Sequence, residues 1–335
     1  MDPTPHQDAE PPYANLTPER VLDAIDSVGV RCDGRMLALN SYENRVYQVW
    51  LEEGPPVVAK FYRPDRWTDA QILEEHAFAC ELAEREIPVV APIVAADGRT
   101  LHQLEGFRFA VYPRRGGRAP ELEDPQTLEW LGRFIGRIHA FGRTQPFVHR
   151  PTLDVQSFGI EPRDYLLAHD FLPLELREVY RSVVDQALEA VQKSFATVAS
   201  VKHLRLHGDC HAGNLLWTDE GPHFVDFDDS RMGPAVQDLW MLLSGEREAM
   251  KLELAALLRG YEQFDDFDYR ELQLIEPLRT LRLIHYAAWI ARRWNDPAFP
   301  VAFPWFDSPR YWQDRILELR EQIALMNEPP LALRS

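Results

Sequence analysis

The spacing of apolar residues changes twice along the chain, near residue 36 and again past residue 118. Before the first change, Thr17-Pro18-Glu19 predicts a helix start, with threonine as cap and proline in the first turn. That helix carries Val21, Leu22, Ile25 and Val28 on one face. From Met36 the period shortens. Met36–Leu39 and Arg45–Trp50 read as strands around the polar turn Asn40-Ser41-Tyr42-Glu43-Asn44, and Val57–Tyr62 as a third strand after Pro55-Pro56. Thr68-Asp69-Ala70-Gln71 is a capping box that opens a helix to about Glu86, ended before Pro88. Val89–Val94 and Phe107–Tyr112 are the remaining apolar runs. They predict a five-stranded antiparallel sheet.

Beyond Pro113-Arg114-Arg115-Gly116-Gly117-Arg118, a turn-rich break, the period becomes helical. Leu128, Leu131, Phe134, Ile135 and Ile138 recur at helix spacing, and further helices are expected at 174–199, from Gln237, and at about 246–263, 269–294 and 309–326. The division that follows is a loose tail at 1–15, a small N-lobe at 16–112, a hinge at 113–118 and a helical C-lobe at 119–335. The fold class is α+β and bilobal.

Charge and composition narrow the partners. The net charge of −17 opposes nucleic acid and anionic membrane as bulk partners. Cys32, Cys80 and Cys210 are widely spaced and odd in number, which suggests neither a disulfide framework nor a zinc site. No apolar run reaches the roughly 18 residues of a membrane span, and the start lacks the basic and apolar regions of a leader. A reducing, cytoplasmic setting and a monomer are expected.

The candidate chemistry lies in His207-Gly208-Asp209-Cys210-His211-Ala212-Gly213-Asn214, followed by Phe224-Val225-Asp226-Phe227-Asp228. Taken singly, Asp209 reads as a turn residue, Asn214 as a cap, and Asp226, Asp228 and Asp229 as a solvated loop. Together they read as a catalytic loop and a metal-binding strand, because phosphoryl transfer needs an acceptor for a hydroxyl proton and oxygen ligands for magnesium. In the small lobe, Lys60 is either a nucleotide lysine or a surface lysine at a strand edge. On a helical wheel Glu75 falls among Phe78, Ala79 and Leu82, whereas Glu74 falls with Glu81, Glu84 and Arg85. A glutamate in a buried arc needs a cationic partner. Lys60 is the available one, and a rim position paired to solvent is the alternative. Arg279, Arg282, Arg292 and Arg293 lie beside Trp289 and Trp294, either to grip an acidic partner or to pair with nearby acids. Cys210 is either a redox sensor or a small buried loop residue.

With these residues in view, the chain resembles the protein-kinase-like superfamily, in the branch shared by aminoglycoside phosphotransferases and choline and homoserine kinases. It is similar within that branch to a family of bacterial stress-response kinases. Leu39–Gln48, Lys60–Pro64, Gln71–His76, Leu206–Asn214, Gly233–Leu242 and Arg292-Arg293-Trp294 carry the likeness, from roughly residue 35 to 330. The resemblance implies a serine/threonine protein kinase that uses ATP and Mg2+. Asp209 would then be the proton acceptor and Asn214 and Asp226 the magnesium ligands, with Asp226 serving catalysis as well. Lys60 would hold the α- and β-phosphates with Glu75 as its partner, Ser41 would contact ATP, and Asp238 would brace the catalytic loop. The alternative is a kinase acting on hydroxyls of small molecules such as aminoglycosides, choline or homoserine.

Three departures from ordinary protein kinases stand out. Residues 40–45 hold no glycine, His207-Gly208-Asp209 has no arginine directly before the aspartate, and Asp226-Phe227-Asp228 stands only a few residues before Gly233. A long, phosphorylated activation loop is therefore not expected.

Overall fold

A computed structural model describes residues 11–198 and 200–331. In the small lobe α1 (Pro18–Ser27) is followed by β1 (Cys32–Ala38), β2 (Arg45–Leu51), β3 (Val57–Phe61), α2 (Asp69–Glu84), β4 (His102–Leu104) and β5 (Phe107–Pro113). The sheet is antiparallel, in the order β1-β2-β3-β5-β4. Thr17 caps α1 by accepting from Arg20 N, and Thr68 and Gln71 close both arms of the box at α2.

Five strands form, but one is not the one the sequence predicts. Residues 89–94 form no strand and keep a hydrogen bond to β5 at Ile93 N, which donates to Val111 O (2.7 Å), while β4 takes the paired place beside β5. Pro92 has no N–H to give a ladder. Val90 N instead donates to Phe224 O (2.9 Å) and Phe224 N to Pro88 O (2.8 Å), so the run crosses towards the large lobe. Residues 11–15, expected in the tail, are docked as well. Tyr13 OH donates to Glu43 O and Phe61 O, and its ring lies under Arg45. The rest of the expected tail, residues 1–10, lies outside the described residues, as does Ala199 at the end of the helix expected over 174–199.

Past Pro113 the chain is mostly helical: α3 (Pro125–Gly142), α4 (Glu161–Ala168), α5 (Leu174–Thr197), α6 (Val236–Trp240), α7 (Arg247–Tyr261), α8 (Ile275–Arg292), α9 (Ala298–Ala302) and α10 (Pro309–Met326). Between α5 and α6 two short ribbons intervene. β6 (Leu204–Leu206) pairs with β9 (Arg231–Gly233), and β7 (Leu215–Thr218) with β8 (Gly221–Phe224). The helices enclose one large apolar core, while α1 and the sheet enclose a smaller one. Helix α2 joins the two lobes, since Phe78 packs edge-on against Phe147 and Phe227. No described helix is long and apolar enough to cross a membrane.

Candidate active site

The ribbon register explains why an asparagine and an aspartate twelve residues apart in sequence meet in space. Leu215 pairs with Phe224, so Asn214 and Val225–Asp226 emerge together at the open end of the β7–β8 hairpin, where Val225 N donates to Asn214 O (3.0 Å). Asp226 then takes the left-handed conformation (φ 61°), unusual without glycine, and its carboxylate is exposed. Asp209 reaches the same place from the loop after β6. Asn214 Nδ2 donates to Asp209 O (2.9 Å) and Oδ2 (3.4 Å), which leaves the Asn214 amide oxygen available as a ligand.

The Asp209 loop is fixed from beneath. Asp238, almost fully buried, accepts from His207 N (2.8 Å) and Gly208 N (2.9 Å) and touches His139 Nε2 (3.0 Å). His139 Nδ1 in turn meets Tyr261 OH (3.1 Å), which donates to Asp265 (2.9 Å). Gly208 has φ +86°, and a Cβ there would lie 2.2 Å from Asp229 O, so only glycine fits the approach.

Asp209 itself is held by an arginine and a histidine. Arg282 Nη1 lies 2.7 Å from Oδ1 and His211 Nε2 3.4 Å from Oδ2. Burial pushes its carboxyl up, but the His211 hydrogen bond and the Arg282 charge outweigh burial and bring it to about 2. It is ionised at neutral pH and a weak base.

The small lobe supplies Lys60, which is buried and not at a strand edge. Its expected ion pair with Glu75 is not made. Lys60 Nζ lies 2.8 Å from Asp226 Oδ1 and 3.3 Å from Asp228 Oδ1, and Glu75 Oε2 is buried without a hydrogen bond. Two carboxylates from the large lobe take the lysine. Burial raises the Glu75 carboxyl to about 7 against the lowering effect of Lys60, so Glu75 is tolerated as a neutral acid. Ser41 is half-buried at the head of the β1–β2 turn, and Asn44 of that turn donates to Asp228 Oδ2 (3.2 Å). Glu74, placed by the wheel on the solvated face, accepts from the backbone N–H groups of Val148, His149 and Arg150.

Sequence reasoning missed several members. Arg66 pairs with Asp228 and Asp229, and Arg150 donates to the carbonyls of Asp228 and Ser230. No periodicity marks an arginine whose partner lies far away in sequence. Of the four arginines singled out near α8, Arg282 meets Asp209, Arg279 meets Glu276, Arg293 meets Glu43, and Arg292 lies over the Tyr165 ring. Pairing with acids holds for three of them, and one such acid is Asp209. Cys210 is buried and its thiol is pushed well above the usual range by burial, a setting for an inert cysteine.

Magnesium prefers oxygen donors and keeps room for phosphate oxygens and water. Asp226, Asn214 and the buried Asp228 Oδ1, which lacks a hydrogen bond, offer oxygens of that kind. Among the described residues no group of three or more His, Cys, Asp or Glu is arranged to hold a metal. The donor set suits an ion that arrives with a nucleotide.

Comparison with known proteins settles the family. Residues 36–275 match the model of the phosphotransferase enzyme family. The chain belongs to that family. Among its relatives, the stress response kinase A of Escherichia coli (strain K12) is 47% identical over 321 residues, covering 96% of this chain and 97% of the relative. A serine/threonine protein kinase RdoA of Salmonella typhimurium (strain LT2) is 44% identical over the same shares. This phosphotransferase also shares its fold with solved kinases. An amicoumacin kinase in complex with AMP-PNP, Ca2+ and Ami superimposes with a TM-score of 0.73 at 18% identity, covering 94% of each chain. A microcompartment-associated aminopropanol kinase gives 0.69 at 16% identity, covering 91% of this chain and 96% of that one. The bilobal, kinase-like α+β fold expected from the sequence is thereby established.

Proposed function

We propose that this phosphotransferase is an ATP- and magnesium-dependent protein kinase that transfers the γ-phosphoryl group to serine and threonine hydroxyls in a cytoplasmic stress response. The observation that carries the reading is the convergence of Asp209, Asn214, Asp226 and Lys60 on one cleft, in a chain whose relatives are called stress response and serine/threonine kinases. Lys60, now on Asp226 and Asp228, would turn to the α- and β-phosphates. Asn214 and Asp226 would hold Mg2+, which when bound offsets charge on the phosphates. Asp209, held ionised by Arg282 and His211, would orient the acceptor hydroxyl and take its proton as the new bond forms.

A second reading, a kinase of small-molecule hydroxyls, is favoured by one feature. The segment after Asp226 is consumed by a 3-10 turn (Phe227–Asp229) and β9, leaving little on which a peptide would dock. Solved neighbours include kinases of amicoumacin and aminopropanol.

Radiolabelled ATP offered with general protein substrates and a panel of amino alcohols separates the two. Label in protein is expected. Turnover of one amino alcohol with none in protein would overturn the protein-kinase reading. Asp209→Ala is expected to lower kcat by about 10²–10⁴-fold with ATP binding retained. Unchanged turnover in that variant would remove Asp209 from the mechanism.

A further inference from the structure

The turn at 40–45 stands where kinases place a glycine-rich flap over the phosphates, yet it holds no glycine. Its position is set from both lobes. The Glu43 carboxylate, only 12% exposed, accepts from Trp289 Nε1 (2.5 Å) and Arg293 Nε (3.1 Å) and lies 3.0 Å from Arg63 Nε. Arg63, just past β3, reaches on to Asp296 (2.6 Å), which also faces Arg45 at 3.4 Å. Tyr42 rests its ring against Phe303 at 5.1 Å.

Two of the sequence runs that carry the family likeness, Leu39–Gln48 and Arg292-Arg293-Trp294, are thus joined across about 250 positions by Glu43 and Arg293. Neither end belongs to the chemistry of phosphoryl transfer described above. The large-lobe side is stiff. Trp289 packs on Phe299 and Phe303, and Asp296 accepts from Ala298 N at the start of α9.

We propose that this bracket replaces the glycine flap: Glu43, gripped by Arg63, Arg293 and Trp289, positions the 40–45 turn and Ser41 over the nucleotide phosphates. Residues 289–296 of the large lobe are then a working part of nucleotide binding, as positioning residues that touch no substrate. A flexible flap loses conformational entropy each time a nucleotide binds. A turn held by buried ion pairs loses it once, on folding. The bracket does for this chain by tertiary contact what glycine does elsewhere by backbone freedom.

The inference rests on the ATP reading above, and its test keeps the two apart. Full-length wild type, Glu43→Gln, Asp296→Asn and Arg293→Lys are compared by calorimetric titration with ATP and magnesium, steady-state kinetics, and hydrogen exchange over residues 39–46. For Glu43→Gln the KM for ATP is expected to rise about tenfold with kcat within about threefold, because the lost term is nucleotide pre-organisation. Exchange over 39–46 should quicken, and Arg293→Lys should keep part of the affinity. If Glu43→Gln does not fold, Asp296→Asn, which loosens Arg63 and Arg45 from below, should give the same split. A folded variant with quickened exchange that binds ATP as wild type does overturns the bracket alone. So does a lowered Tm with an unchanged KM. A wild type that binds no ATP overturns the donor reading and the bracket with it.

Discussion

Glu75 is an acid in a place where its charge is costly. It is 2% exposed, and burial lifts its carboxyl from about 4.5 to about 7. A group raised in the folded state favours folding fully below its unfolded value, and that contribution is lost as pH rises through the folded one. Wild type should therefore lose stability between about pH 5 and about pH 8 through this residue. Glu75→Gln, which keeps the shape and removes the proton, should gain in Tm relative to wild type as pH rises across that window. A difference in Tm that stays flat with pH would show that Glu75 does not titrate there. The burial of Glu75 is legible in sequence, since helical geometry alone puts it beside Phe78 and Leu82. Its partner is not, because which carboxylates reach Lys60 depends on the turn at Asp226, whose left-handed backbone no local pattern announces.

At the scale of elements, the packing of α3 on α7 sets the level of the loop that carries Asp209. A Cβ on Gly132 would lie 1.9 Å from Leu257 O, and one on Gly260 2.0 Å from Glu129 O, so the two backbones touch. The same pair of helices carries His139 and Tyr261, which stand under Asp238. Gly132→Ala should force them apart and cost about 1–3 kcal/mol in chemical denaturation, as overpacking of a tight core does. It should lower kcat as well, since Asp238 moves with His139. Full stability in that variant would mean that the helices part freely. Elements with long periods and clear caps, such as α1, α2 and α3, are legible in the sequence. The sheet is less so. Residues 89–94 have the apolar composition of a strand but are broken by Pro92, whereas β4 is three residues long and leaves no pattern to find.

For the molecule as a whole, the order of motifs reveals two lobes, and the contacts between the lobes remain hidden. Arg66 on Asp228, Glu74 on the backbone at 148–150 and Glu43 on Arg293 each span large separations in sequence. Such pairs follow from the fold rather than from spacing. Helix α2 is tied to the large lobe by two of its own residues, Phe78 in the large core and Glu74 on the loop before α4. The segment after Asp226 has equally little freedom, because Arg231–Gly233 is hydrogen-bonded to Leu204–Leu206. Purified protein treated with a phosphatase should keep its full specific activity, measured with the acceptor that the labelling assay identifies. A large loss would reveal a modified site outside this segment. The shortness of that ribbon has a consequence for the cell: the strip between Asp226 and Gly233 offers no hinged loop to be tagged and untagged. Control through that strip would give way to the number of copies made and the supply of acceptor.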